Sequence, residues 1–196
     1  MEKKFELTEK YVVNELGTKL YQIKCTKTFE YAKKGELGGY IEREVNLSQG
    51  GNAWVSGDVQ VYGNARVSGD AWVSGDAQVY GNARVSGDAW VSGDAQVYGD
   101  ARVSGDAQVS GNACLKSNAD HCGFDCFGSS NRHTHAYLTS DNAVEITCGY
   151  FRGSIEEFEK KVKNTHAGTV YENQYNAIIN VIKIKFGSAQ RQNRQV

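Results

Sequence analysis

Guanidinium groups recur at one constant interval, at Arg66, Arg84 and Arg102. A planar fork of donors repeated at a fixed interval suits phosphate oxygens, which it can grip two at a time. Two aromatic series keep the same interval: Trp54, Trp72 and Trp90, and Tyr62, Tyr80 and Tyr98, the latter beside Gln60, Gln78 and Gln96. Aromatic faces stack on nucleobases, so a groove that combined these rings with the arginines would hold a nucleotide. The plainer readings are a solvated arginine face and a tryptophan face buried between copies of the chain, because a large exposed apolar stripe marks a partner.

Other chemistry is less well supported by spacing. His121, Cys122, Cys126, His133 and His135 lie within fifteen residues and carry soft ligands suited to zinc. Their Cys-x₃-Cys and His-x-His intervals match no strong zinc template, and no metal is expected. Asp58, Asp76 and Asp94 share one period and Asp70, Asp88 and Asp106 another, a pattern that stacked carboxylates could use for calcium. Turn chemistry explains all six, since Asn replaces Asp freely at equivalent positions. The absence of a flat threonine ladder argues against ice binding. No catalytic residue and no cofactor are assigned.

The elements that must position these side chains come from one phrase. Residues 51–122 repeat Gly-(Asp/Asn)-Ala-x-Val-(Ser/Tyr), as in Gly69-Asp70-Ala71-Trp72-Val73-Ser74, twelve times. Within Ala-x-Val-x alternate side chains face opposite ways, so Ala and Val point inward while the variable residue and Ser or Tyr point out. Gly followed by Asp or Asn then bends the chain, because both tolerate positive φ. The variable position repeats only at every third hexad, which makes three hexads one lap of a solenoid. Laps stack at about 4.8 Å, giving four coils and a length of roughly 19 Å. Three outer faces follow, carrying Trp with Ser, Gln with Tyr, and Arg with Ser.

This pattern resembles the hexapeptide-repeat, left-handed parallel β-helix family, and the handedness is implied by that resemblance alone. Many such proteins are acyltransferases with a general-base His in a cleft between prisms. Here the first eleven hexads contain no His and no insertion, and only His121 sits in the terminal one, so an acyltransferase ranks third among the readings. The stretch Lys34-Gly35-Glu36-Leu37-Gly38-Gly39-Tyr40-Ile41-Glu42, then Asn46-Leu47-Ser48-Gln49, is similar to phage- and prophage-encoded hexapeptide-repeat proteins. So is Cys148-Gly149-Tyr150-Phe151-Arg152-Gly153-Ser154-Ile155-Glu156-Glu157-Phe158. The resemblance implies a viral gene acting in a bacterium, and hexapeptide-repeat proteins commonly trimerise through prism faces.

The flanks read as separate pieces. Residues 1–50 form an expected N-terminal β cap, with strands at Phe5–Leu7, Tyr11–Val13 and Leu20–Cys25, since an open coil end leaves apolar interior and strand edges uncovered. Ile41 and Leu47 begin the interior. Residues 123–196 are expected to form a small α+β domain. Gly123–Asn131 is a loop in this reading, and His133–Leu138 and Ala143–Cys148 are a hairpin with Val144, Ile146 and Cys148 on one face. Ser154 and Glu157 make a capping box for a helix to about Asn164. Tyr171, Tyr175, Ile178, Ile179 and Ile182 are the stripe of a second helix packed on the hairpin. Gly187–Val196 is polar and expected to fray.

Composition agrees with a β-solenoid that turns on glycine, with 22 glycines and no proline. The formal net charge of −1 gives no bulk attraction to nucleic acid or to anionic membranes. No apolar run approaches the roughly 18 residues of a membrane span, and Met1-Glu2-Lys3-Lys4-Phe5 lacks a signal-peptide core. Five cysteines, an odd and scattered set, suit reduced thiols in a cytoplasm. The expectation is a mainly β, left-handed parallel β-helix with an N-terminal cap and a C-terminal α+β domain. It would be a non-enzymatic, homo-oligomeric (trimeric) binding protein in the bacterial host cytoplasm. It would counter antiviral defence by sequestering a nucleotide signal or occluding a host protein. A structural scaffold or virion component is the second reading.

Overall fold

In the computed structural model the described residues are 3–192, with side chains described to residue 187. The chain divides into a unit ending at Asn118 and a second unit beginning at Ala119.

The first unit is built by the hexad. After β1 (Phe5–Val13), β2 (Lys19–Cys25) and β3 (Leu37–Ile41) come eleven two-residue strands among the described residues. These are β4 to β14, from Trp54–Val55 to Cys114–Leu115, one in each of the first eleven hexads. Strands three hexads apart lie parallel: Trp54 pairs with Trp72, Gln60 with Gln78, Arg66 with Arg84. The backbone stitches coil to coil, as in Trp72 N–H to Ala89 O at 2.9 Å and Ser74 N–H to Val91 O at 2.9 Å. The two inward-facing residues of each of the first eleven hexads are buried, Ala71 and Val73 among them. The corners depend on glycine. Gly87 sits at φ +70°, and a Cβ there would stand 2.8 Å from the Gly105 backbone nitrogen of the next coil. This is a β-solenoid of about four turns.

The N-terminal strands join one of its three sheets. β1 and β2 are an antiparallel pair, β2 runs antiparallel to β3, and β3 lies parallel to Gln60–Val61, so seven strands form one sheet. The segments Phe5–Leu7 and Tyr11–Val13, expected as two strands, are one strand with a register shift between Leu7 and Tyr11. Ile41 and Leu47 are buried, and Leu47 bridges to Val67 on the arginine sheet. Lys4 is buried too, its Nζ donating to Ala53 O at 2.7 Å and Gly51 O at 3.2 Å. These carbonyls have no earlier coil to receive hydrogen bonds from, and a buried acceptor left without a donor is costly.

The twelfth hexad, Ser117–Cys122, does not complete a lap. A 3₁₀ turn at Asn118–Asp120 leads instead into β15 (His121–Phe127), so the solenoid repeat stops before His121. Residues 123–131, expected as a loop, therefore supply most of a strand. β15 pairs antiparallel with β16 (Arg132–Leu138), followed by β17 (Val144–Cys148) and β18 (Phe151–Ser154) in a four-stranded sheet. Its apolar residues, Cys122, Phe124 and Phe127, are scattered among glycines and polar residues, which is why composition suggests a loop.

Ser154 caps α1 (Ile155–His166): its hydroxyl accepts from Glu157 N–H while Glu157 Oε2 accepts from Ser154 N–H at 2.8 Å. The second helix, α2 (Val170–Gln192), buries Tyr175, Ile178, Ile179, Ile182 and Phe186 in one core with Val144, Ile146 and Cys148 of the sheet. Of the polar tail from Gly187, α2 takes residues to Gln192, and 193–196 lie outside the described residues. No helix among the described residues is long and apolar enough to cross a membrane.

Candidate functional site

The arginine column is a consequence of register. Arg66 pairs with Arg84 and Arg84 with Arg102 on adjacent parallel strands, so the three side chains leave the same sheet at successive coils, all exposed. None makes an ion pair among the described residues. Like charges repeated at strand spacing repel, and an anion between them relieves that repulsion.

Two clefts flank the column. One, of about 370 Å³, is bounded by Arg43, Arg66, Arg84 and Arg102 with Asn64, Asn82 and Asp100 at the corner. Asn64 Nδ2 donates to Asn82 Oδ1 at 3.1 Å and Asn82 Nδ2 to Asp100 Oδ1 at 3.0 Å, a ladder that fixes the corner amides. Among the described lining residues the one carboxylate is that of Asp100, and Arg43 also pairs with Glu42 at 3.6 Å beside the cleft. The second cleft, of about 520 Å³, lies on the other side of Arg66 and Arg84 and carries Ser68, Ser86, Gln49 and Glu44, whose carboxylate pairs with Lys3 at 2.6 Å. Asn64, Asn82 and Asp100 share the period of the arginines, a signal that turn propensity masks. Arg43 has no place in that period and no sequence signal points to it.

The tyrosine column stacks as expected from its period. Tyr62 and Tyr80 have ring centroids 5.0 Å apart and nearly parallel, and Tyr80 and Tyr98 are 4.9 Å apart. Burial pushes the Tyr62 and Tyr80 hydroxyls up from their ordinary pKa, helped by Tyr80 and Glu15 for the former and Cys114 for the latter. The turn at Asn14–Leu16 overhangs this face, closing a groove of about 520 Å³ with Gln60, Tyr62, Gln78, Tyr80 and Gln96.

The tryptophan face departs from expectation. The backbones align, Trp54 to Trp72 to Trp90, but the rings do not form one exposed stripe. Trp54 is fully buried, its ring edge-on to Phe29 at 5.5 Å, and its indole N–H has no partner among the described residues. Tyr31 takes the stacking position on Trp72 at 5.5 Å, and Trp72 stacks on Trp90 at 5.1 Å. Trp72 Nε1 donates to Ser56 Oγ at 3.0 Å. Only Trp90, at 45 %, exposes much ring. Phe29 and Tyr31 belong to a non-repeating segment, so no periodicity could have announced them.

The His and Cys cluster belongs to the second unit. His121 Nδ1 and His135 Nε2 are 2.9 Å apart, and His133 Nδ1 bonds Asp125. No group of three or more His, Cys, Asp or Glu among the described residues is arranged to hold a metal ion. Cys122 is partly buried and its thiol pKa is raised by that burial, against the opposing charge of Lys185. A site of unexpected form does occur in this unit, a cavity of about 580 Å³ between β17–β18 and the two helices.

A family model described as the YdcK β-solenoid repeat matches residues 59–75, 77–93 and 95–111. Successive matches begin three hexads apart, so the unit of the family is one lap of the coil. No curated protein matches the chain.

Proposed function

With the solenoid repeat as premise, we propose that this chain is a non-enzymatic binding protein whose recognition surface is the arginine column. The ligand is phosphate-bearing, and a nucleotide is the preferred form. One observation carries the reading: Arg66, Arg84 and Arg102 stand in register with no ion-pair partner among the described residues, beside clefts of small-molecule size. Each guanidinium presents parallel N–H donors, and charge-assisted bonds of this sort contribute about 1.5–3 kcal/mol. The stacked tyrosines offer ring faces on a neighbouring sheet, where a base would lie only if the ligand spans a corner.

The finer description travels with this proposal. The coil is left-handed and of the hexapeptide class, and β1–β2 with Lys4 cap its first turn. The protein is phage-type and acts in the bacterial cytoplasm, where sequestering a nucleotide signal would blunt antiviral defence. It self-associates, as a trimer, through the side of the coil that exposes Trp90. What supports the last point is narrower than three tryptophans: it is the open ring of Trp90 at the end of the Tyr31–Trp72–Trp90 stack.

Calorimetric titration of cyclic and linear nucleotides against the protein and against Arg84→Ala tests the binding claim. Loss of one guanidinium should weaken a bound nucleotide by about ten- to a hundredfold. Equal affinity in the variant, or no heat from any nucleotide, refutes it.

A further inference from the structure

The geometry points to a second small-molecule site, in the C-terminal unit, that accepts a flat aromatic body carrying one anionic group. It is independent of the arginine column and would stand if that reading failed. The cavity of about 580 Å³ falls in the size range of ordinary ligand pockets, which are mostly apolar with a few placed polar groups.

Its floor is aromatic. Phe151 and Phe158 have ring centroids 5.0 Å apart, and Phe158 meets Tyr175 edge-on at 5.6 Å. Val162 and Cys148 complete the apolar surface. His166 lies stacked on Tyr175 at 5.4 Å, so these two rings together form one wall. Burial, then Cys148, pushes the Tyr175 hydroxyl up to about 12, so this floor stays uncharged across the physiological range.

Its rim is cationic. Arg132, Arg152 and Lys161 line it, and among the described lining residues there is no carboxylate. Arg152 is already engaged, with Nε 2.7 Å from Glu145 Oε1. Arg132 and Lys161 make no ion pair among the described residues. Arg132 passes close to the turn joining β17 and β18. Gly149 has φ +59°, and a Cβ there would stand 2.6 Å from Arg132 Nη1, so the bare glycine backbone lets the guanidinium lie along the turn. Two unpaired cations above an aromatic floor match an aromatic anion in both charge and shape, since ring faces stack on the ligand while the cations take its charge.

A separate feature points the same way. Tyr150, at the mouth of the cavity, is 100 % exposed. Tyrosine presents a large rigid ring at small entropic loss, which is why it recurs at recognition sites. Because Tyr150 belongs to the lining, a ligand seated on the floor would come within reach of this ring.

The test is calorimetric titration of the full chain with 2-naphthoate, 1-naphthyl phosphate and uncharged 2-naphthol, each to about 1 mM, the scale of a weak specific complex. One or both anions should saturate a single site, and which one binds identifies a carboxylate or a phosphate as the charged group. The naphthol should bind at least about tenfold more weakly, as should either anion to Arg132→Glu or Lys161→Glu. Tyr150→Ser, which changes a wholly exposed side chain and leaves the fold intact, should weaken binding about two- to tenfold. Arg84→Ala should leave this site unchanged. No saturation by either anion, equal binding of the naphthol, or full affinity in all three site variants would overturn the proposal.

Discussion

Three tryptophans that are equivalent in the repeat should be unequal in energy, and alanine at each measures the difference. Trp54 is fully buried against Phe29, and its ring closes over Gly38, where a Cβ would meet Trp54 Cζ2 at 2.8 Å. Truncating a buried Trp removes transfer energy and leaves a cavity, about 3–5 kcal/mol in all. The Trp54 indole N–H has no partner among the described residues, so its burial already carries a penalty that the alanine relieves. That places Trp54→Ala near the lower end, about 3 kcal/mol. Trp72 is half-buried, stacked on both sides and bonded to Ser56, and its loss should come to about 2 kcal/mol. Trp90 keeps one stacked neighbour and is 45 % exposed, leaving about 1 kcal/mol. The assay is urea unfolding followed by far-UV circular dichroism, repeated at several protein concentrations because self-association raises apparent stability by mass action. Iodide quenching of single-tryptophan variants gives a second readout, with Trp90 quenched most and Trp54 least. Equal losses at the three positions, or the greatest loss at Trp90 at every concentration, would refute the assignment of Trp54 to the interior.

Two further outcomes follow from the same packing. Lys4 titrates at about 8 instead of 10.5 because burial disfavours its charge, with Lys27 adding to the effect against the opposing pull of Asp70 and Cys25. The folded state therefore binds fewer protons than the unfolded between those values, so this group's contribution makes stability rise from pH 8 to 10.5 and stay level below pH 8. A carbon-13 titration of Lys4 Cε should have its midpoint near 8, and a midpoint at the ordinary lysine value would contradict the burial. Gly87→Ala should destabilise the coil by about 2 kcal/mol or more, since alanine at positive φ is unfavourable by about 1–2 kcal/mol and its Cβ also presses on Gly105 of the next coil. Ser86→Ala next to it should change stability by less than about 0.5 kcal/mol, as measured by the same urea unfolding.

The solenoid was legible in sequence because its information is local and repeated. An alternation of two within each hexad sets which side chains face in, and a lap of three hexads sets which residues stack, so the columns of Arg, Tyr and Gln follow without any long-range contact. The capping box at Ser154 and the α2 stripe were legible for the same reason, each being written in spacing of three or four positions. Of the stripe expected from Tyr171 to Ile182, however, the core takes Tyr175, Ile178, Ile179 and Ile182 and leaves Tyr171 half-buried. Periodicity describes only what repeats, however. Whether Trp54 is exposed depends on Phe29, from a segment well before the repeats, folding over it, and Tyr31 joins the stack on Trp72 by the same non-repeating route. The strand at His121–Phe127 forms because its partner β16 is present, overriding a glycine-rich composition that favours a loop. The cavity beside Tyr175 needs a strand end, a hairpin turn and two helices at once. Such features depend on contacts between segments remote in the chain, and those contacts exist only after the backbone has closed.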